Sequence, residues 1–370
     1  MPWYNDLRPA SDNNQQNYAL IFPKMTKAEK KRTIKNLLTL RSDLTEIPAK
    51  LNDQNIIIGS WNIKEFGQMT NRLPESYFYI AEILSKFDLV AIQEIKNRLD
   101  DLSIIMRLLG SHWNYLINDM TGGKDGNMER FAYIYDSRRV NFSGLAGEIV
   151  LWDEIEKIHL IRQLKRTPYI TGFRAGWKSF AIINVHLNPG NDTDSRDLRK
   201  KEVQALVEVV KERIEKKQLW TENLMVMGDF NIYSDNQDIV DVLSQEGFIQ
   251  LPALKEAKTN ISGSQGYDKI FYRKNDYFDI ANTAGDNGGV FRFFQTVFKE
   301  DEFKPYKSFM KLHKEDPSTL KDDDAFKKYY NSYWKRNQMS DHYPIWIEMQ
   351  IDHSDEFLAE KLEDHETNSN

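Results

Sequence analysis

The chain has 370 residues, 40% hydrophobic and 12% aromatic, enough to build the core of one large domain or two ordinary ones. It has no cysteine, which excludes disulfides and thiolate metal sites and fits a reducing compartment. A net charge of −6 argues against a protein that coats nucleic acid by bulk charge, yet leaves room for an enzyme with a local basic groove.

The opening Met-Pro-Trp-Tyr-Asn-Asp lacks the basic-then-apolar pattern of a secretory signal, and no apolar run reaches the roughly 18 residues of a membrane span. The cytoplasm is therefore the expected location, with no membrane span. Residues 1–54 read as an N-terminal extension. Within it residues 13–16 are polar and read as loose. Thr26 with Glu29 forms a capping box, opening a short helix with Ile34, Leu37 and Leu38 at helical spacing. The basic run 27–32 reads as its solvated face.

From residue 55 the tempo changes. Residues 56–61 read as a buried strand ending at Asn62, 75–86 as a helix, and 88–92 as a strand ending at Gln93-Glu94. A second helix follows over 99–109, then strands over 115–118, 130–135 and 149–152. Residues 170–174 and 179–185 form a strand pair about Ala175-Gly176-Trp177, the second ending at His186. The clearest helix covers 195–218, with Val203, Leu206, Val207, Val210 and Ile214 on one face. An apolar run, Leu224 to Met227, ends at Gly228-Asp229-Phe230-Asn231. That tip suits binding of a metal, a water and a phosphate oxygen, and equally suits an Asx turn. A helix near 238–245 and a strand over 267–272, containing Asp268, come next.

Residues 284–338 break the rhythm, interleaving Phe, Tyr and Trp with Lys and Arg. Such an insertion can stack on bases and hold phosphates, with Lys327, Lys328, Lys335 and Arg336 as first candidates. It can equally form a mini-core or a partner interface. Ser340-Asp341-His342-Tyr343-Pro344 and a strand over 345–349 close the domain, read as 55–351. The polar, acidic tail 352–370 reads as frayed. Many strands with few helices between them predict an α/β fold with two packed sheets.

The strand ends gather Asn62, Glu94, His186, Asp229 with Asn231, Asp268, and Asp341 with His342. Carboxylates and histidines without cysteine suit a hard divalent ion, Mg²⁺ or Mn²⁺, and phosphoryl chemistry needs such a set. Histidine suits the proton transfers. His112 and His159 read as structural or surface residues, and His313, His353 and His365 as solvated. Asp268 could instead pair with Lys269 or Arg273, and Glu65 could be a supporting acid or a surface residue.

The words that carry a resemblance are Trp61-Asn62-Ile63-Lys64-Glu65-Phe66-Gly67, Ile92-Gln93-Glu94-Ile95-Lys96, Glu129-Arg130-Phe131, Val185-His186, Gly228-Asp229-Phe230-Asn231, Tyr267-Asp268-Lys269-Ile270 and Ser340-Asp341-His342-Tyr343-Pro344. In this order they resemble the endonuclease/exonuclease/phosphatase superfamily, most of all its deoxyribonuclease I branch. The resemblance implies a four-layer α/β sandwich, two packed and mainly antiparallel sheets flanked by helices. It implies a metal-dependent endonuclease nicking duplex DNA. Glu94 would be the main metal ligand, with Asn62 and Asp341 nearby, and an auxiliary Ca²⁺ ion is a further option. His186 would be the acid, oriented by Glu129, and His342 the base, oriented by Asp268. Asp229 and Asn231 would position metal, water or phosphate, although in related abasic-site nucleases the residue matching Asp229 activates water. Arg166 would contact phosphate, and Lys64 and Lys96 would touch DNA. One departure stands out: Asn127 replaces the tyrosine that packs on a sugar. The rival readings are a same-fold enzyme acting on a lipid headgroup, a nucleotide or RNA, and a non-catalytic module that docks DNA or protein.

Overall fold

Side chains of an extended strand alternate between faces, so an apolar run buried along its length must be covered on both sides. Strand β1 (Asn55–Phe66) is such a run. Ile56 and Ile58 face a second sheet, while Ile57, Trp61 and Ile63 face helices. The computed structural model describes residues 2–9, 20–69, 71–121, 127–218, 221–233, 236–278, 280 and 287–367.

The first sheet contains β1, β2 (Leu89–Ile95), β3 (Trp113–Ile117) and β4 (Arg130–Asp136), together with β11 (Gly288–Val290) and β12 (Ile345–Gln350), in the order β11-β12-β1-β2-β4-β3. The second contains β5 (Asn141–Glu148), β6 (Tyr169–Ala175), β7 (Lys178–His186), β8 (Leu224–Asp229), β9 (Phe248–Gln250) and β10 (Asp268–Arg273), in the order β5-β6-β7-β8-β10-β9. The β1–β2 and β7–β8 pairs are parallel, and the other pairs are antiparallel. Helices Pro74–Leu84 and Asp100–Leu109 cover the outer face of the first sheet, and Thr193–Glu215 and Gln237–Gln245 that of the second. This is the four-layer α/β sandwich expected.

The helix Lys27–Asp43 keeps its capping box, Thr26 with Glu29. Its buried face is Thr33, Asn36, Leu37 and Leu40, and Ile34 and Leu38 lie on the exposed side. Arg32 leaves the solvated face: its guanidinium bonds both carboxylate oxygens of buried Glu75, at 2.9 and 2.7 Å. The expected loose segment 13–16 lies outside the described residues.

Most aromatics of 287–338 turn inward. Phe293, Phe298, Tyr306, Tyr330 and Trp334 join the cluster that holds Leu37 and Leu40. Phe293 and Tyr306 sit on 3₁₀ turns, Phe293–Gln295 and Lys304–Tyr306, and Tyr330 and Trp334 on a π-helical turn, Tyr330–Trp334. Lys335 is buried over the Phe294 ring, and Lys327 pairs with Asp301.

Two further expectations fail. The strand assigned to 149–152 is β5, Asn141–Glu148, one segment earlier. This edge strand is largely exposed and so lacks the apolar run that marks a covered strand. The tail is not frayed over its described length. Ser354–Thr367 is a helix, begun by Asp352 accepting from the Ser354 amide and docked by Phe357 on Trp177.

At the start of β7, Lys178 is 4% exposed, and its ammonium has no hydrogen-bond partner among the described residues. Burial pushes its pKa down to about 8, against a small opposing effect of Glu356. An unfolded lysine holds its proton to about pH 10.4. Between these values the unfolded chain binds more protons, so stability should rise with pH. Lys178→Met should stabilise the protein by about 1 kcal/mol at pH 7. Urea melts at pH 7 and pH 10 should show that gain shrinking.

Candidate active site

Parallel pairing brings the strand tips to one end of the sandwich. His186 on β7 is in register with Asp229 on β8, and Asp229 with Asp268 on β10. Across the other sheet Asn62 is in register with Gln93. The approach of β7 to β8 requires glycine at 228, where φ is +141° and a Cβ would lie 2.0 Å from the Val185 carbonyl oxygen.

Asp229 lies at the centre. Its Oδ2 is 3.5 Å from His186 Nε2 and 3.7 Å from His342 Nε2, and it accepts from Asn62 Nδ2 at 3.0 Å. Each imidazole is braced behind by a carboxylate: Glu129 Oε2 lies 2.9 Å from His186 Nδ1, and Asp268 Oδ2 lies 2.8 Å from His342 Nδ1. Burial works against protonation of His186, but the charge of Asp229 and the bond to Glu129 outweigh it and raise the pKa. His342 is raised further: burial is again opposed, here by the charges of Asp268 and Asp229. Burial would raise Asp229, but the two histidines hold it below the ordinary carboxylate range.

Asn62 also donates to Glu94 Oε1 at 2.9 Å, and the Glu65 amide donates to Glu94 Oε2 at 2.9 Å. Glu65 and Glu94 have φ of +43° and +63°, where the β1–β2 pairing shifts register. Such irregularities re-aim side chains at strand ends. The buried Oδ1 of Asn62 has no hydrogen-bond partner among the described residues. An amide oxygen left open beside a carboxylate suits a hard divalent ion. Two acid–histidine groups have ligand atoms close enough to share an ion: Glu94 with Glu129 and His186, and Asp229 with Asp268 and His342. Asp341 belongs to neither and instead accepts from Lys64 Nζ at 2.9 Å.

Asn231 does not continue the strand. At φ +49° its amide N–H donates to Asp229 Oδ1 at 2.9 Å, while its side-chain Nδ2 donates to the Leu187 carbonyl at 3.0 Å. The Asx-turn reading therefore holds locally while Asp229 still faces the histidines. Arg166 is buried with Nε 2.8 Å from Glu129 Oε2, and its Nη1 has no partner among the described residues. Lys96 is buried too, its ammonium 3.0 Å from Glu129 Oε1. Lys64 remains partly exposed at the rim, and Lys96 does not.

No protein-family model matches the chain. Deoxyribonuclease gamma of Mus musculus is 25% identical over 182 residues, covering 46% of this chain and 54% of that protein. Deoxyribonuclease-1 of Homo sapiens is 26% identical over 184 residues, covering 47% of this chain and 60% of that protein. The matches thus span little more than half the length of these relatives. The chain is thus similar in sequence to deoxyribonucleases over about half its length. A solved endonuclease/exonuclease/phosphatase family protein from Bacteroides thetaiotaomicron is similar at 15% identity, with a TM-score of 0.47, covering 80% of this chain and 98% of that chain.

The site rests on residues without an assigned role at the outset. Ser340 Oγ donates to the Asn62 carbonyl at 2.7 Å and accepts from the His342 amide at 3.0 Å, tying the histidine loop to β1. Trp61 Nε1 donates to the His342 carbonyl at 2.9 Å. Gln93 donates to Asn184 Oδ1 at 2.7 Å, joining the sheets beneath the site. The one signal for Asn184 is an amide inside an apolar run. Asn127 donates to Glu129, so it braces the carboxylate behind His186.

Proposed function

We propose that this chain is a divalent-metal-dependent phosphodiesterase that hydrolyses DNA, nicking duplex DNA as an endonuclease. The observation that carries the reading is Asp229, with one oxygen in reach of two imidazoles that are each braced by a buried carboxylate. A hydrolase needs such opposed proton carriers around one phosphorus centre. Glu94 and Asn62 would hold Mg²⁺ or Mn²⁺, whereas Asp341, expected as a third ligand, is paired with Lys64. When bound, the ion would neutralise phosphate charge, polarise the P–O bond and offset the carboxylate charge that keeps the imidazoles protonated.

The chain's own residues divide the rest of the work. Asp229 holds the attacking water, with Asn231 fixing the Asp229 carboxylate through its backbone amide. His342, oriented by Asp268, takes the water's proton. His186, oriented by Glu129, gives a proton to the leaving oxygen. Arg166, whose Nη1 has no partner among the described residues, would contact a phosphate oxygen beside His186. Lys64, at the rim, meets the nucleic-acid backbone, while Lys96 and Asn127 hold Glu129 in place.

Duplex DNA is favoured by the deoxyribonuclease relatives and by the lysine at position 64. A panel of plasmid DNA, RNA, nucleotides and inositol phospholipid, at matched phosphoester concentration, tests the substrate. We expect kcat/KM for plasmid to exceed the others by at least about tenfold, roughly 1.4 kcal/mol. Faster turnover of RNA, a nucleotide or a lipid headgroup would reassign the substrate.

A further inference from the structure

Strand alternation turns Asp268 toward His342 and Lys269 to the opposite face of β10. There Lys269 is 6% exposed and borders a cavity of about 70 Å³ lined by Tyr233, Gln237, Gln250, Lys255, Lys258 and Gly266. Its ammonium meets one acceptor among the described residues, the Lys255 carbonyl at 3.4 Å, and no carboxylate pairs with it. The acid on the wall is Glu256, which is exposed. Gly266 brings the backbone close: a Cβ there would lie 2.3 Å from the Ala257 carbonyl oxygen and 3.3 Å from Lys269 Nζ.

A buried ammonium with one long hydrogen bond is costly unless an anion completes its shell. The space is that of a few water molecules, suited to one tetrahedral oxyanion and too small for a base or an acyl chain. The wall is also near the site. Tyr233 packs against Tyr267 at 5.1 Å, and Tyr267 against His342 at 5.7 Å between ring centroids.

We propose that Lys269, with Lys258 and Lys255, forms a second phosphate-binding pocket beside the reaction centre. On the phosphodiesterase reading, its occupant is a backbone phosphate flanking the one being cleaved. A free phosphate is the other source of the same chemistry.

Two measurements on wild type, Lys269→Met and Lys258→Gln decide. The first is fluorescence anisotropy with a 20-base-pair duplex in EDTA over a salt series. The second is the thermal midpoint with and without inorganic phosphate. Lys269→Met should fold at least as well as wild type without phosphate, because it removes the unpaired ammonium. It should bind duplex about 5–20-fold more weakly, with a salt slope shallower by about 0.9. Lys258→Gln should shift both readouts in the same direction. The variants should lose most of the midpoint rise that phosphate gives wild type. Duplex binding that is unchanged, or absent from all three proteins, together with loss of the phosphate response, supports the pocket and assigns it free phosphate. Absence of duplex binding then counts against the DNA reading alone. Equal duplex affinity, equal salt slope and equal phosphate response in all three proteins would overturn the pocket.

Discussion

His342→Ala and His186→Ala should each lower kcat by about two to four orders of magnitude, the range for losing a general acid or base. The expectation comes from the symmetry around Asp229. Each imidazole presents Nε2 toward Asp229 Oδ2 and is fixed behind by a buried acid. Neither side chain is needed for the core, since the strand tips are held by β-sheet pairing and by Ser340 and Trp61. Thermal midpoints should fall, because each substitution leaves a buried carboxylate without its imidazole, but circular dichroism should show a folded protein while turnover collapses. His159→Ala should leave turnover unchanged, because that ring pairs with Glu208 on the helical face. Steady-state rates on plasmid, with circular dichroism on the same samples, check this. Wild-type rates in both active-site variants would remove the proton-transfer scheme.

Arg32→Met should destabilise the fold by about 3 kcal/mol, because it strands a buried carboxylate. Glu75 is 2% exposed and takes both of its strong bonds from Arg32. The hydroxyls of Tyr79, at 3.1 Å, and Tyr306, at 3.4 Å, complete its shell, and the Arg32 guanidinium stacks 4.8 Å from the Tyr306 ring centroid. This one carboxylate thus joins the helix Lys27–Asp43, the helix Pro74–Leu84 and the aromatic insertion. Urea unfolding of the variant should show a lower midpoint with an unchanged slope. A double replacement, Arg32→Met with Glu75→Gln, should recover part of the loss, since no uncompensated charge then remains.

The site was legible because its residues end buried strands. An apolar run stopped by a carboxylate, an amide or a histidine is conspicuous in sequence, and Asp229 and His186 stood out in this way before any geometry was known. Contacts set by backbone twist were not legible. Asn231 leaves the strand at positive φ, and Lys96 turns inward onto Glu129 although its neighbours place it at a basic position. The edge strand β5 was missed because Asn141–Glu148 is too exposed to need an apolar pattern. Ile34, Leu37 and Leu38 share helical spacing, yet only Leu37 is buried, because spacing reports which residues align, not which face is covered. The insertion's aromatics were open to two readings. The structure buries most of them against the helix Lys27–Asp43 and leaves Tyr333 exposed.

The most direct test of the central claim is conversion of supercoiled plasmid by purified wild-type protein in Mg²⁺ or Mn²⁺, with EDTA and His342→Ala as controls. The proposed site predicts open circles accumulating before linear DNA, abolished by EDTA and slowed at least about a hundredfold in the variant. A folded wild-type protein that leaves the plasmid supercoiled with either ion across pH, or that nicks it equally well in EDTA, would contradict the account.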